Sequence, residues 1–300
     1  MSTVIRASSV LAQQPAMSGI ATSALSARNL LDENSINDDT VDLLINVGVF
    51  RDQNIMEPAI AALIQKEARI GLCREPEQRQ ILSFDLNNSS CGFLHAVEVA
   101  KSFFDADDAA SAIVVAGDYH PGSTSAEQFV ETNVLPYGSV GASVLLEHTE
   151  VPGVGFGPVY VDTVYDDSDE AYIDFRLAGT NGRRSVSVVS SGTMFDRSID
   201  MATDLGLKAL ENSDSLDMRK VLLITAPYSR QFAQKLGGKL GLMPENVNSM
   251  YRPIKDPHSS ALPLSYHDLD LDAVAQWYES ILFVSVGVGI TAAAAVYVLP

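Results

Sequence analysis

The chain is poor in cysteine and in basic residues, and each shortage closes off a class of function. Two cysteines among 300 residues, Cys73 and Cys91, cannot build a disulfide framework and fit a reducing compartment. Only 20 lysines and arginines stand against 38 acidic residues, a formal charge of -18 at pH 7. A nucleic-acid partner needs a positive footprint that this balance does not supply, and the same charge repels anionic membranes. The opening MSTVIRASSV lacks a charged segment followed by an apolar core, so no secretion signal is expected and the cytoplasm is the predicted compartment. The five histidines and two cysteines show no metal-ligand spacing.

Apolar sequence is plentiful. A hydrophobic fraction of 46% with 19% charged residues describes a globular chain, long enough for one large core or two packed halves. The run 281–299, ILFVSVGVGITAAAAVYVL, has the length of a membrane span, but its internal GVG and missing basic flanks predict two buried strands joined by a glycine turn. Basic residues gather at Lys208, Arg219, Lys220, Arg230, Lys235, Lys239, Arg252 and Lys255. On charge alone this is a solvated surface, with a dock for a phosphorylated cofactor or an acidic carrier protein as the sharper alternative.

Two halves of the chain echo each other. Residues 30–49 and 209–228 both run from a helix end through an acidic turn, with ENS in each, into a buried strand. Gly71 and Gly241, the pairs Ser89-Ser90 and Ser259-Ser260, and Gly117 and Gly287 all recur at a spacing of 170. The pattern predicts strand–helix–strand–helix–strand twice, with parallel strands buried on both faces. A duplicated α/β chain of this kind makes a five-layered α-β-α-β-α sandwich about a pseudo-dyad. Its boundary is expected near Pro152, giving halves 1–152 and 153–300.

The segment QILSFDLNNSSCGFLHAVEVAKSFF carries the candidate chemistry. It reads as a strand, a polar turn at 87–90, and a helix whose first turn holds Cys91. Unpaired N–H groups and the positive dipole end at a helix start favour thiolate over thiol, as a nucleophile requires. At the 170 spacing Cys91 matches Ala261, so the sulfur belongs to one half only. A small buried thiol packing the helix start is the plainer alternative. His95 could face the thiol but suits core or capping use; His120, His148 and His267 read as loop or surface residues, and GVGFG at 153–157 as the start of a strand.

These segments resemble the thiolase superfamily, and within it the β-ketoacyl-acyl-carrier-protein synthase III group. FDLNNSSCGFLHAVEVA is similar to that group's active-site cysteine segment, YGSVGASVLLE (137–147) to its glycine-rich strand, and SVGVGITAAAAVYV (285–298) to its closing loop and final strand. The resemblance implies ping-pong acyl transfer with no permanently bound cofactor. Cys91 would take an acyl group from acyl-CoA or the phosphopantetheine of an acyl carrier protein, and a second substrate would accept it by C–C condensation or O/N-acylation, in lipid or natural-product biosynthesis. The backbone N–H groups of Cys91 and of the Gly287–Val288–Gly289 loop would hold the oxyanion.

Three departures stand out. Where the family has a histidine after the strand VLLITA, this chain reads Ala226-Pro227-Tyr228-Ser229. Where it has an asparagine, anchoring on Leu262-Pro263-Leu264 puts Asp256, which when ionised only accepts hydrogen bonds and suits a base. His258 is the candidate stand-in for the missing histidine, reaching the thiol from an unusual direction. The N-terminal tryptophan and arginine that stack on coenzyme A are also missing; Arg28 is the cation nearby and the sole tryptophan is Trp277, which favours a carrier-protein donor. The implied assembly is a homodimer or a heterodimer with a homologue. Beside acyl transfer stand two alternatives: a non-catalytic partner subunit of a heteromeric complex, and a thioesterase with water as acceptor.

Overall fold

The computed structural model describes residues 2–12, 17–52, 55, 57–72, 80–118, 139–165, 170–172, 187–189, 194–213 and 216–300. The first half gives β1 (Ser2–Ala12), α1 (Gly19–Glu33), β2 (Leu43–Asn46), α2 (Ile60–Ala68), β3 (Leu82–Asp85), α3 (Gly92–Asp105), β4 (Ser111–Gly117) and β5 (Val140–Thr149). Its strands form one sheet in the order β1-β5-β4-β2-β3, with β4, β2 and β3 parallel and β5 antiparallel to both β4 and β1.

The chain leaves that sheet at Thr149 and joins a second one at β6 (Gly155–Phe156) and β7 (Tyr160–Thr163). After the short ribbon of β8 (Glu170–Tyr172) and β9 (Ser187–Val189) come α4 (Met194–Glu211), β10 (Val221–Ala226), α5 (Arg230–Lys239), α6 (Ala261–His267), α7 (Leu271–Val274), β11 (Ser280–Gly287) and β12 (Thr291–Val298). The second sheet runs β10-β11-β12-β6, with β7 also paired to β12.

The layers follow from which helix faces are apolar. α1 and α2 cover the outer face of the first sheet, and α4 and α5 the outer face of the second. α3 and α6 lie between the sheets, so their apolar faces meet strands on either side. Phe93 of α3 is fully buried there, 6.3 Å from Phe156 and 6.1 Å from Phe283 between ring centroids. The Tyr297 hydroxyl accepts a hydrogen bond from the Ile5 N–H at 3.1 Å, tying the second sheet to the first. Each fully buried ring contributes on the order of 1.5–3 kcal/mol by leaving water.

The run 280–298 is the hairpin β11–β12, whose strand residues are all buried except Val298, and no helix among the described residues is long and apolar enough to cross a membrane. Gly71 and Gly241 end corresponding segments with φ of 61° and 73°. The repeat is incomplete in one place. The strand expected after α5 is reduced to a single bridge between Leu223 and Val247, followed by irregular chain to Pro257. Pro253 and Pro257 have no N–H to give a ladder, and two of the three residues between them, Lys255 and Asp256, are charged.

Candidate functional site

The turn between β3 and α3 is held from both sides. The Asp85 carboxylate, at the end of β3, accepts from the Ile60 and Ala61 N–H groups at the start of α2 (2.9 and 2.8 Å) and from the Asn46 amide, and pairs with Arg51. The Cys91 N–H then donates to the Asn88 carbonyl (2.9 Å) and the Gly92 N–H to that of Ser89 (3.3 Å), closing the turn onto the helix. Gly92 is required by proximity: a Cβ there would lie 2.9 Å from Val47 Cβ.

Cys91, the nucleophile expected from the sequence, is the N-cap residue of α3. Its side chain is fully buried, and its Sγ lies 3.5 Å from the Thr291 carbonyl. Burial pushes the thiol up to about 12, against weaker opposing pulls from Ser285 and the Ala293 backbone. Desolvation and the positive end of the helix act on this thiol in opposite directions. The Cys91 N–H, expected as an oxyanion donor, is already spent on Asn88.

The side chain that the turn does present is Ser89, held at φ 48°. Its Oγ lies 2.9 Å from His258 Nε2. His258, also left-handed at φ 52°, sits 2.8 Å through Nδ1 from Asp118 Oδ2. Asp118 follows β4 and is nearly sealed: Oδ1 accepts from the Val49 and Phe50 N–H groups, and Oδ2 from the Ser259 N–H as well as the imidazole. Burial pushes its carboxyl up, but His258 and the backbone donors together hold it below its ordinary value. The Phe50 ring packs on the imidazole with centroids 5.2 Å apart.

A cavity of about 330 Å³ opens on this turn, lined among others by Ser89, Ser90, Phe232, Asp256, Gly287 and Val288. The structure thus brings Asp256 and the glycine loop to the same cavity as Ser89, and Cys91 is not among the lining residues. Asp256 Oδ1 accepts the His258 N–H at 2.9 Å, and its burial raises the carboxyl above its usual range. Gly287 is pressed against the turn, since a Cβ there would stand 2.4 Å from Ser89 Cβ and 2.7 Å from its Oγ. Just after β10, Pro227 lines the cavity, while the Tyr228 hydroxyl accepts the Arg252 N–H.

Comparisons with known proteins agree with this architecture. No family model matches the chain. A β-ketoacyl-[acyl-carrier-protein] synthase III of Acholeplasma laidlawii is 28% identical over 126 residues, 42% of this chain and 37% of that relative's length. Among solved structures, the priming β-ketosynthase of the R1128 polyketide biosynthetic pathway superposes with a TM-score of 0.82 at 14% identity, covering 100% of this chain and 96% of the other. Xanthomonas campestris OleA, in a structure with bound lauric acid and lauroyl-CoA, superposes with a TM-score of 0.77 at 14% identity, covering 99% of each. The fold is the thiolase fold of the synthase III group.

Several residues singled out in the sequence of this synthase III-like chain are occupied elsewhere. Arg219, Lys220, Lys235, Lys239 and Arg252 each pair with an acid, respectively Asp217, Glu279, Asp196, Asp200 and Asp268, as expected of a solvated surface. Arg28 pairs with Asp32, and Trp277 is exposed. His95 meets the Asn88 amide, and His267 meets Ser8. Cys73 and His120 lie outside the described residues. Ser89 and Asp118 were not singled out as functional. The usable signals were an acid closing a buried parallel strand and a serine at a strand-to-helix elbow, both typical positions for reactive groups.

Proposed function

We propose that this chain transfers acyl groups. It takes one from a coenzyme A or acyl-carrier-protein thioester onto a side chain of the β3–α3 turn and passes it to a second substrate, by C–C condensation or by acylation of oxygen or nitrogen, in lipid or polyketide biosynthesis. The observation that carries this reading is the cavity in which the turn, the β11–β12 glycine loop and Asp256 converge at the head of α3. An acyl thioester needs that set: a nucleophile, backbone donors for the oxyanion, and an acid–base group. The fold supports it, as does the partial likeness to a synthase III. The sequence favours Cys91 as acyl carrier; its full burial against the Thr291 carbonyl argues for another side chain.

Incubation with a ladder of acyl-CoA and acyl-pantetheine thioesters, followed by intact mass, tests the proposal. The expected result is a covalent acyl adduct that is discharged when an alcohol, amine or carbanion acceptor is supplied. No adduct with any donor overturns it.

A second reading is a partner subunit that completes a dimer. It is favoured by the outer edge of β3, where no strand pairs among the described residues and Leu82 is 48% exposed. A monomer at micromolar concentration, with no co-purifying homologue, counts against it.

A further inference from the structure

We propose that the acyl carrier is the hydroxyl of Ser89, worked by His258 and Asp118 as a hydrogen-bonded triad, so that the intermediate is an oxygen ester and not a thioester. This rests on the acyl-transfer reading and specifies its chemistry.

The protonation pattern follows from the partners. Asp118 is ionised and has four donors around it, so the imidazole must present a proton on Nδ1 to Oδ2. In the neutral imidazole that leaves Nε2 as an acceptor, with the Ser89 hydroxyl as its partner at 2.9 Å. Asp118 therefore fixes both the tautomer and the orientation of the base, which is what a nucleophilic serine needs from its third member.

Strain and crowding point the same way. Ser89 and His258 are both non-glycine residues at positive φ, an arrangement that costs on the order of 1–3 kcal/mol per residue and persists where surrounding structure enforces it. Here the enforcing contacts are visible. His258 is held by the Asp256 carboxylate on its N–H, by Asp118 on its ring and by Phe50 on its face. Ser89 is backed by Gly287, where any side chain would collide with it. A serine at a left-handed elbow between strand and helix exposes its oxygen to the cavity while the following N–H groups turn inward. Ser90 and Val288 line the same cavity, and in this proposal their N–H groups would hold the oxyanion.

The steps balance without a further reactant. His258 Nε2 takes the hydroxyl proton as Ser89 Oγ bonds to the thioester carbonyl carbon. The C–S bond breaks, and the departing thiolate takes the proton from Nε2, leaving an acyl ester on Oγ. An acceptor hydroxyl, amine or water then gives its proton to Nε2 and attacks the ester carbonyl. The C–Oγ bond breaks, and the proton returns to Oγ. Oxygen and nitrogen acceptors fit this cycle, since each brings the proton that the imidazole relays.

The test uses the full chain with two reagents, the acyl-CoA ladder and a fluorophosphonate, which reacts with activated serines. Ser89 is expected to carry an acyl adduct that survives neutral hydroxylamine, is lost in Ser89→Ala and persists in Cys91→Ala. Ser89→Cys should make the adduct labile to neutral hydroxylamine, a gain that a folding defect cannot mimic. Fluorophosphonate should label Ser89, at least 100-fold more slowly in His258→Ala. An adduct that maps to Cys91 and vanishes in Cys91→Ala overturns the serine proposal and leaves acyl transfer standing. Fluorophosphonate labelling of Ser89 with no adduct from any thioester supports the triad and overturns the thioester reading. Failure of both reagents on folded protein overturns both.

Discussion

The Ser89 hydroxyl and the His258 imidazole meet at 2.9 Å although 169 residues separate them, one at the head of α3 and the other just before α6. Both helices lie in the layer shared by the two sheets, so the contact depends on how the halves pack. It also depends on two neighbours, Asp118 and Gly287, which suggest the first tests.

Asp118→Asn removes the acceptor that fixes the imidazole tautomer. Acylation of Ser89 should fall by about 100-fold to 10,000-fold. The carboxyl is held below its ordinary value of 3.8, so its ionised form stabilises the fold above that pH, and the contribution is lost as pH falls through the folded-state value. The variant should therefore lower Tm at pH 7 and differ less from wild type near pH 3, as thermal melts across pH would show.

Gly287→Ala adds a Cβ 2.4 Å from Ser89 Cβ. The turn must shift, at a stability cost of about 1–3 kcal/mol. Fluorophosphonate labelling should drop by more than 100-fold while the far-ultraviolet dichroism is retained. Labelling at the wild-type rate would mean that the position of Ser89 does not matter.

Cys91 should be protected from alkylation. With its thiol pushed up to about 12 against an ordinary 9.0, its thiolate at pH 8 is about a thousandfold scarcer than in a free cysteine. Peptide mapping after iodoacetamide treatment should find Cys91 unmodified in native protein and modified in denaturant. Rapid native modification would contradict the packing described here.

Asp256 has the opposite sign from Asp118. Burial raises its carboxyl, so ionisation costs stability above the ordinary 3.8, and the cost fades as pH is lowered through the folded-state value. Asp256→Asn keeps an acceptor for the His258 N–H and should raise Tm at pH 7, with the gain shrinking towards pH 4. Constant-pH melts of the two proteins check this.

Parts of this structure are legible from residues alone. The hairpin β11–β12 shows itself in two apolar runs around GVG, and the duplication in glycines and serines at a constant spacing, because both depend on local pattern. The choice between Cys91 and Ser89 is not local. Ser89 lies in the left-handed turn ahead of α3 and Cys91 caps the helix, so helical periodicity does not relate their directions. Periodicity locates the head of α3 without saying which side meets the cavity. Asp118 reads as an ordinary strand end until Val49, Phe50 and His258 converge on it from distant segments. The missing strand before Pro257 has a legible cause in its prolines, but the echo of the first half hides it.

The chain passes from one sheet to the other between Thr149 and Gly155, and that crossing divides the reactive set. Hydroxyl and carboxylate precede it, imidazole follows it. Severed there, each fragment would be chemically silent, and only their docking would restore a serine that a phosphonate can tag. Covalent labelling thus doubles as an assay of assembly, counting molecules whose two repeats have closed on each other.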